Sequence, residues 1–362
     1  MKNYTLPEYP CLADMWDILK EEQRPIVVYG MGNGADKLFS RFEKYGIRVA
    51  DVFASDGFVR GHSFRGYRVK SFSEIKEAYS DFVIVLSFAS GREEVIEMLR
   101  EIDGQYDMYV PDMPVADEGE YFDREFYNLH YSEISTAYDL FSDAESKNIY
   151  AAVVNYKLTG KLSYLLDAYT EKADMYTLIC QKAIKTMVDA GAYNGDTARE
   201  AIEYLPEVTE IYALEPDRKT FKRLRKYADE APIKIHTLNA AVYSENRQGS
   251  LFAAGNRNST AVATASYENR EDKVDFITVD SLGIDADYIK YDVEGAEYEA
   301  LLGSVKTIEN SRPALLVSLY HRSRDLYFLP LFLRERFSGY KYYIRRLRVV
   351  PAWDLNLILI PT

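Results

Sequence analysis

The chain has 362 residues, of which 47% are hydrophobic and 28% are charged. This composition is typical of a soluble globular protein and excludes a disordered or fibrous chain, and the length predicts two domains with connecting helices. The net charge of −13 repels a polyanion, which disfavours nucleic acid as a partner. No signal-peptide pattern and no apolar run of membrane-spanning length is found, so we expect a cytoplasmic protein without a membrane anchor. The cysteines, Cys11 and Cys180, are far apart, which fits a reducing compartment and argues against a zinc site.

The first part of the chain, 1–114, alternates strand and helix patterns and predicts a small Rossmann-like domain. Apolar runs at 25–29 and 82–87 are typical of buried parallel strands, and a helix is predicted at 35–45. The sequence G-M-G-N-G at 30–34 joins the first strand to this helix, as a nucleotide-binding loop does. No acid stands cleanly at the end of the second strand, and no catalytic Tyr-x-x-x-Lys set follows. We therefore expect this domain to recruit substrate or to form a homodimer.

The middle part, 115–182, lacks β-branched runs, and its apolar residues recur at helical spacing, so it is predicted to be a helical connector. The third part, 183–362, returns to alternating strands and helices. It ends in β-rich stretches at 340–348 and 355–360, which are predicted to pair as an antiparallel edge hairpin. The sequence thus predicts the α/β class, with two Rossmann-like three-layer αβα domains joined by helices.

The loop D-A-G-A-Y-N-G-D-T at 189–197 follows an apolar strand and begins a helix. Its glycines let the backbone pass close to a ligand, and the free N–H groups of the helix start attract an anion. A dinucleotide fingerprint would have G-x-G-x-x-G, whereas this loop has a leading Asp and two glycines, which favours S-adenosylmethionine. The predicted cofactor ligands in this loop are Asp189, Gly191, Ala192, Tyr193, Gly195, Asp196 and Thr197.

The next strand ends in A-L-E-P-D at 213–217. This places Glu215 about twenty residues after the loop, where an acid accepts hydrogen bonds from both ribose hydroxyls. The alternative is that Glu215 serves only as a negative charge at a helix start. Pro216 follows Glu215 and begins the next helix. After the third strand, Asn239 is predicted to lie beside the adenine. The further predicted cofactor ligands are Pro216, Ala240 and Asp292.

The segment D-Y-I-K-Y-D-V-E-G-A-E-Y-E at 287–299 is predicted to begin as a strand whose end carries Lys290, Asp292 and Glu294 on alternating positions. A histidine follows a further apolar run that predicts the neighbouring strand, and ligands and catalysts lie at the carboxyl ends of such strands. The candidate catalytic residues, each able to take a proton from an acceptor, are Asp292, Glu294 and His321, with Glu297 as a further candidate. A histidine with carboxylates is also a ligand set for a divalent metal. The sequence assigns no metal site, and this alternative stays open.

Basic residues are frequent between positions 312 and 348, and such a run usually forms a solvated face. Arg322 and Arg345 are candidate ligands for a phosphate or carboxylate on the acceptor, such as that of a nucleotide-linked sugar. The polar stretch 255–260 is a candidate substrate loop and is equally well explained as a turn.

Taken together, D-A-G-A-Y-N-G-D-T, A-L-E-P-D, I-K-Y-D-V-E-G-A-E-Y-E-A-L and S-L-Y-H-R resemble the FkbM family of S-adenosylmethionine-dependent methyltransferases. The likeness runs from about residue 177 to the C-terminus. It implies a class I methyltransferase fold and O-methylation, often of sugars and natural products. It also implies that the residues of the 189–197 loop shape the methionine pocket, that Glu215 holds the ribose, and that Asp292 faces the methyl group or the acceptor. Tyr291 stands where the family more often has an aliphatic core residue.

Two other functions stay open from the sequence. One is a non-catalytic subunit that binds a nucleotide or a sugar nucleotide within an assembly, although the pocket motifs are intact. The other is an NAD-dependent oxidoreductase that uses the N-terminal domain. The main expectation is a methyltransferase acting on a hydroxyl of a small-molecule acceptor, with a carbohydrate favoured.

Overall fold

The structure, a computed structural model, describes residues 2–59, 61–116, 120–250, 252–254, 258–260 and 273–362. Strands and helices alternate at both ends of the chain, which confirms the α/β class. Residues 255–257 of the candidate substrate loop lie outside the described residues. Within the described ranges, no helix combines the length and the apolar character needed to cross a membrane.

The first part of the chain forms a five-stranded parallel sheet with flanking helices. Its strands are β1 (Ile26–Tyr29), β2 (Val49–Ala54), β5 (Lys70–Ser71), β6 (Val83–Leu86) and β7 (Asp107–Tyr109), and β3 (Ser63–Phe64) pairs with β4 (Tyr67–Arg68) in a separate hairpin. The helices are α1 (Met15–Glu21), α2 (Asn33–Tyr45), α3 (Phe72–Ala78) and α4 (Glu93–Asp103). The strand order is β5-β2-β1-β6-β7, so the direction of winding reverses between β1 and β6. Ligands of open α/β sheets bind at such a reversal point.

Five helices follow in the described part of the predicted connector: α5 (Arg124–Leu129), α6 (Tyr131–Leu140), α7 (Ala144–Thr159), α8 (Leu162–Asp167) and α9 (Lys172–Ile179). Helix α7 is buried on most of its faces, because apolar side chains cover its whole circumference. A single core cluster includes Val27 of β1, Ile149 of α7 and a residue of the second large sheet, Leu357. The helices therefore pack against both sheets.

The last part of the chain forms a seven-stranded sheet and smaller β elements. The strands are β8 (Thr186–Ala190), β9 (Glu210–Leu214), β10 (Lys234–Leu238), β11 (Ala240–Val242), β12 (Arg247–Ser250), β13 (Phe252–Ala254), β14 (Asn258–Thr260), β15 (Lys273–Ile277), β16 (Tyr288–Tyr291), β17 (Ala314–Ser318), β18 (Tyr340–Arg346) and β19 (Leu355–Pro361). The helices are α10 (Asp196–Tyr204), α11 (Arg218–Glu230), α12 (Glu297–Leu302), α13 (Val305–Ser311) and α14 (Asp325–Arg336).

The strand order of this sheet is β10-β9-β8-β16-β17-β19-β18. The first five strands are parallel, and β19 runs antiparallel to both β17 and β18. The predicted hairpin is confirmed, and its second strand lies inside the sheet rather than at the edge. The carboxyl ends of β8, β9, β16 and β17 lie at one edge, where the chain places Asp189, Glu215, Asp292 and His321.

Candidate functional site

The loop between β8 and α10 passes very close to the end of β16. Gly191 has a φ of +84°, and a Cβ built on it would lie 1.9 Å from the carbonyl oxygen of Asp292. Gly195, at the start of α10, has a φ of +85°. Glycine is required at position 191 by both the backbone conformation and the lack of space. The predicted loop therefore has the glycine-dependent path that a ligand-binding turn needs.

Glu215 lies directly after β9 and is 7% exposed. Its carboxylate accepts hydrogen bonds from the backbone N–H of Tyr193, at 2.9 Å, and of Asp217, at 2.8 Å. Burial raises the pKa of Glu215 to about 7, despite these two hydrogen bonds. Each carboxylate oxygen has lone pairs left to accept further hydrogen bonds. The carboxylate lines a large cavity, where a ligand with two hydroxyl groups can reach it.

The residues that follow β10 have a different role from the one that the sequence predicted. The Asn239 side chain donates to the carbonyl oxygens of Glu215, at 2.8 Å, and of Pro216, at 3.0 Å. It is not among the residues that line the cavity, whereas Pro216 and Ala240 are. Asn239 thus holds the turn that carries Glu215 in place, and the cavity wall beside it is formed by Ala240 and its neighbours.

A buried lysine, Lys290 of β16, connects the ends of two strands. Its Nζ lies 3.4 Å from Asp189 Oδ1 and 3.5 Å from Asp292 Oδ2. It also donates to the carbonyl oxygen of Gly191 at 3.3 Å. Burial raises the pKa of Asp189 to about 6 even with Lys290 beside it. Asp189 is fully buried and supports the loop from below, while Lys290, which the sequence did not assign to the site, lines the cavity.

A second group of charges surrounds His321, which follows β17 and is fully buried. Its Nε2 lies 3.5 Å from both Asp292 Oδ1 and Glu294 Oε2, and its Nδ1 lies 2.9 Å from Glu297 Oε1. Burial alone would lower the pKa of His321, but the three carboxylates raise it to about 10. The hydroxyl of Tyr320 donates to Asp292 Oδ1 at 3.0 Å. The structure therefore brings together the three residues predicted to be catalytic.

Burial likewise raises the pKa of Glu294 to about 7. The pKa of Asp292 is held below its usual value: burial would raise it, but Lys290 and His321 outweigh that effect. Glu294 has a φ of +55°, an uncommon backbone conformation for a residue other than glycine. Asp292 and Glu294 line the cavity, and His321 lies behind them.

The cavity has a volume of about 980 Å³, which is within the usual range for small-molecule sites. Of the predicted loop residues, it is lined by Gly191, Tyr193, Asp196 and Thr197, whereas Ala192 is buried in the core. Its wall also includes Trp353 and Asp354, from the connection between β18 and β19. The sequence did not predict these two, because only the tertiary pairing of the last two strands brings that connection to the site.

The two arginines predicted to bind substrate lie away from this cavity. Arg345 is 5% exposed, and its guanidinium donates to Asp143 Oδ2 at 2.6 Å and to Ser146 Oγ at 2.8 Å. It therefore ties β18 to the start of α7. Arg322 lies behind the end of β16, where a Cβ on Gly295 would be 3.1 Å from its Nε.

A second cavity, of about 520 Å³, lies at the carboxyl edge of the first sheet. Its lining includes the loop at 32–34, Lys37 and Trp353, and the last of these also lines the larger cavity. Among the described residues, no acid lines it. A dinucleotide site places an acid for the ribose there, so this geometry does not favour the NAD-dependent alternative.

The close contact at Gly191 predicts a substitution effect that its conformation alone would not produce. In Gly191→Ala, the new Cβ meets backbone rather than a movable side chain, so we expect a clear fall in Tm and loss of ligand binding. Gly46→Ala is the matched control, because Gly46 has a similar φ of +70° but no atom within 4 Å of the added Cβ. It should cost only about 1 kcal/mol. Equal falls in Tm, measured by circular dichroism, would contradict the steric account.

Comparison with known proteins bears on this geometry. Residues 189–342 match the family model of the Methyltransferase FkbM domain. A crystal structure of Methyltransferase FkbM from Methylobacillus flagellatus KT is similar over 99% of this chain and 94% of that chain, with 17% identity and a TM-score of 0.70. Precorrin-6y C5,15-methyltransferase from Geobacter metallireducens GS-15 aligns with 52% of this chain and 84% of that one, at 14% identity and a TM-score of only 0.33. No curated protein matches the sequence.

The similarity to the Methylobacillus structure, at its low identity, shows a shared fold and confirms the predicted fold class. The first sheet lies outside residues 189–342, so its likeness to a Rossmann domain rests on its strand order. The matched residues include the glycine loop, Glu215 and the cluster around His321. This chain therefore carries, at residues 189–342, an FkbM-family methyltransferase domain, whose cofactor is S-adenosylmethionine.

Proposed function

We propose that this protein transfers a methyl group from S-adenosylmethionine to a hydroxyl oxygen of a carbohydrate or a carbohydrate-containing small molecule. The observation that carries the proposal is that acidic residues from the ends of two different strands line one cavity. Glu215 lies at the end of β9, and Asp292 and Glu294 lie at the end of β16.

The residues of this site fit the cofactor. The buried Glu215 carboxylate has lone pairs free for the two ribose hydroxyls. The space beside Gly191 is too small for a side chain, so the backbone of the loop itself forms this part of the cavity wall. Gly195, which precedes α10, provides no side-chain cap, and this leaves N–H groups of the first helical turn to bind the carboxylate of the methionine part.

When bound, S-adenosylmethionine supplies a methyl group on a sulfonium, which an oxygen nucleophile takes in an in-line displacement. The protein must align the acceptor oxygen and accept its proton. Glu294 suits the second task, because its carboxylate lies on the cavity wall. Asp292, beside it, can orient the hydroxyl. His321 is a positioning residue, because it lies behind both carboxylates and does not line the cavity.

The shape and charge of the site support a small polar acceptor. Trp353 lines both the larger cavity and the second one, and Tyr193 also lines the larger cavity. Aromatic faces and carboxylates together are suited to sugars, which present both C–H faces and hydroxyl groups. The net charge of −13 weighs against a nucleic-acid acceptor.

Removal of the carboxylate at residue 215 should weaken cofactor binding. Charge-assisted hydrogen bonds contribute about 1.5–3 kcal/mol, so Glu215→Gln should lower the affinity for S-adenosylhomocysteine by about tenfold to a hundredfold. Isothermal titration calorimetry measures this change. Glu207→Gln, at an exposed position before β9, is the matched control and should bind as the wild type does.

The same titration should depend on pH. The Glu215 pKa is raised to about 7, mainly by burial and further by Asp217 and Asp189. The ribose hydroxyls need the ionised carboxylate, so affinity should rise by about tenfold from pH 6 to pH 8 and then level off. Glu215→Gln should remove this dependence. A variant that keeps the wild-type pH profile would assign the titration to another group.

Glu294→Gln tests the proposed proton acceptor. The amide keeps the shape of the side chain but cannot take a proton, so kcat should fall by about 10²- to 10⁴-fold, while S-adenosylhomocysteine binding changes little. The assay is transfer of labelled methyl to an acceptor found by screening sugars and nucleotide sugars. Glu335→Gln, an exposed substitution on α14, is the control. Wild-type kcat in Glu294→Gln would exclude this role.

A further inference from the structure

Several buried polar atoms around His321 have no hydrogen-bond partner in the part of the chain that the structure describes. His321 is fully buried. Its Nδ1 lies 2.9 Å from Glu297 Oε1, and its Nε2 makes no hydrogen bond to the described residues. One oxygen each of Glu294 and Glu297 is also buried without a hydrogen-bond partner. Buried polar atoms are normally satisfied, and unsatisfied ones often mark the place of a bound ion or water.

The spacing of these atoms would allow them to close around one cation. Asp292, Glu297 and His321 each offer a ligand atom, and these atoms all lie within 4.8 Å of one another. Two ligands bound to the same ion at ordinary metal–ligand distances are about 3 to 4 Å apart. His321 Nδ1 and Glu297 Oε1 are 2.9 Å apart, and Asp292 offers a third ligand atom within 4.8 Å. One imidazole binds a given ion through one nitrogen, and Nδ1 is the nitrogen that faces Glu297.

The cluster is also held in shape before any ion binds. Glu297 Oε1 accepts hydrogen bonds from the backbone N–H of Val293, at 3.0 Å, and of Gly295, at 3.3 Å. Tyr320 holds Asp292 from the other side. Such supporting hydrogen bonds orient metal ligands in proteins. Glu297 still has one oxygen free to bind a cation.

The charges around His321 also favour a bound cation. A protonated imidazole brings one positive charge, yet His321 has three carboxylates within 3.5 Å. Lys290 neutralises part of this charge from beyond Asp292, at 3.5 Å. Mixed imidazole and carboxylate ligands suit divalent cations. The Asp292 and Glu294 side chains, 26% and 31% exposed, give access from the cavity.

We propose that Asp292, Glu297 and His321 bind a divalent cation such as Mn²⁺ beside the cofactor cavity. Glu294 lies next to this ion and remains the group nearest the acceptor. The site itself does not depend on methyl transfer. Its role, to hold the acceptor oxygen with its positive charge, rests on the proposed function.

The test is a titration of the full-length protein with Mn²⁺ alone, followed by electron paramagnetic resonance of the free ion. The wild type should bind one Mn²⁺ per chain. His321→Gln and Asp292→Asn should each weaken binding at least tenfold, while Glu335→Gln, which removes an exposed carboxylate elsewhere, should not. Circular dichroism checks the fold of each variant. Asp292 is partly exposed, so its variant keeps the test decisive if His321→Gln does not fold.

S-adenosylhomocysteine binding to the same samples, measured by calorimetry, separates the two proposals. Binding of S-adenosylhomocysteine without stoichiometric Mn²⁺ would overturn the metal site and leave the proposed function standing. Mn²⁺ binding without S-adenosylhomocysteine would do the reverse. Variants that bind Mn²⁺ as tightly as the wild type would also overturn the assignment of these ligands.

Discussion

The carbonyl oxygen of Asp292 occupies the space that a side chain on residue 191 would need, and this contact joins the ends of β8 and β16. It places the loop after β8 where the N–H of Tyr193 meets the Glu215 carboxylate. The same strand end carries Glu294 into the cavity. The distance between Glu215, the proposed ligand of the ribose, and Glu294, the proposed proton acceptor, is therefore set by backbone packing rather than by flexible side chains.

The site also concentrates buried charge, which is costly unless each group has a partner. On one side, Lys290 lies between Asp189 and Asp292 and offsets part of that cost. On the other, His321 faces more negative charge than one imidazole can neutralise, and Glu215 has a raised pKa. These features are expected where a bound ligand interacts with the buried charges. Functional sites retain such charged groups, whereas a core with only a structural role rarely contains them. Burial raises the pKa values of Glu215 and Glu294.

Sequence patterns predicted the large sheet, the hairpin and the positions after β8, β9 and β16, because buried parallel strands read as apolar runs and their ends carry the polar residues. The division into domains and the ligand roles stay predictions. Patterns within one segment could not show that Asn239 bonds to a neighbouring turn or that Arg345 pairs with α7. Nor could they show that Trp353 reaches two cavities, because these contacts join residues far apart in the chain. The alternation of polar residues along β16 placed Lys290 at this strand end but gave it no role, because its contacts with Asp189 and the loop at Gly191 join different strands.

The most direct test of the central claim is a crystal structure of the protein with S-adenosylhomocysteine. The account predicts that both ribose hydroxyls bind the Glu215 carboxylate, that the amino-acid end lies over the turn at Gly191, and that the sulfur faces Asp292. A ligand that binds the cavity of the first sheet instead, or that leaves Glu215 without contact, would contradict the account.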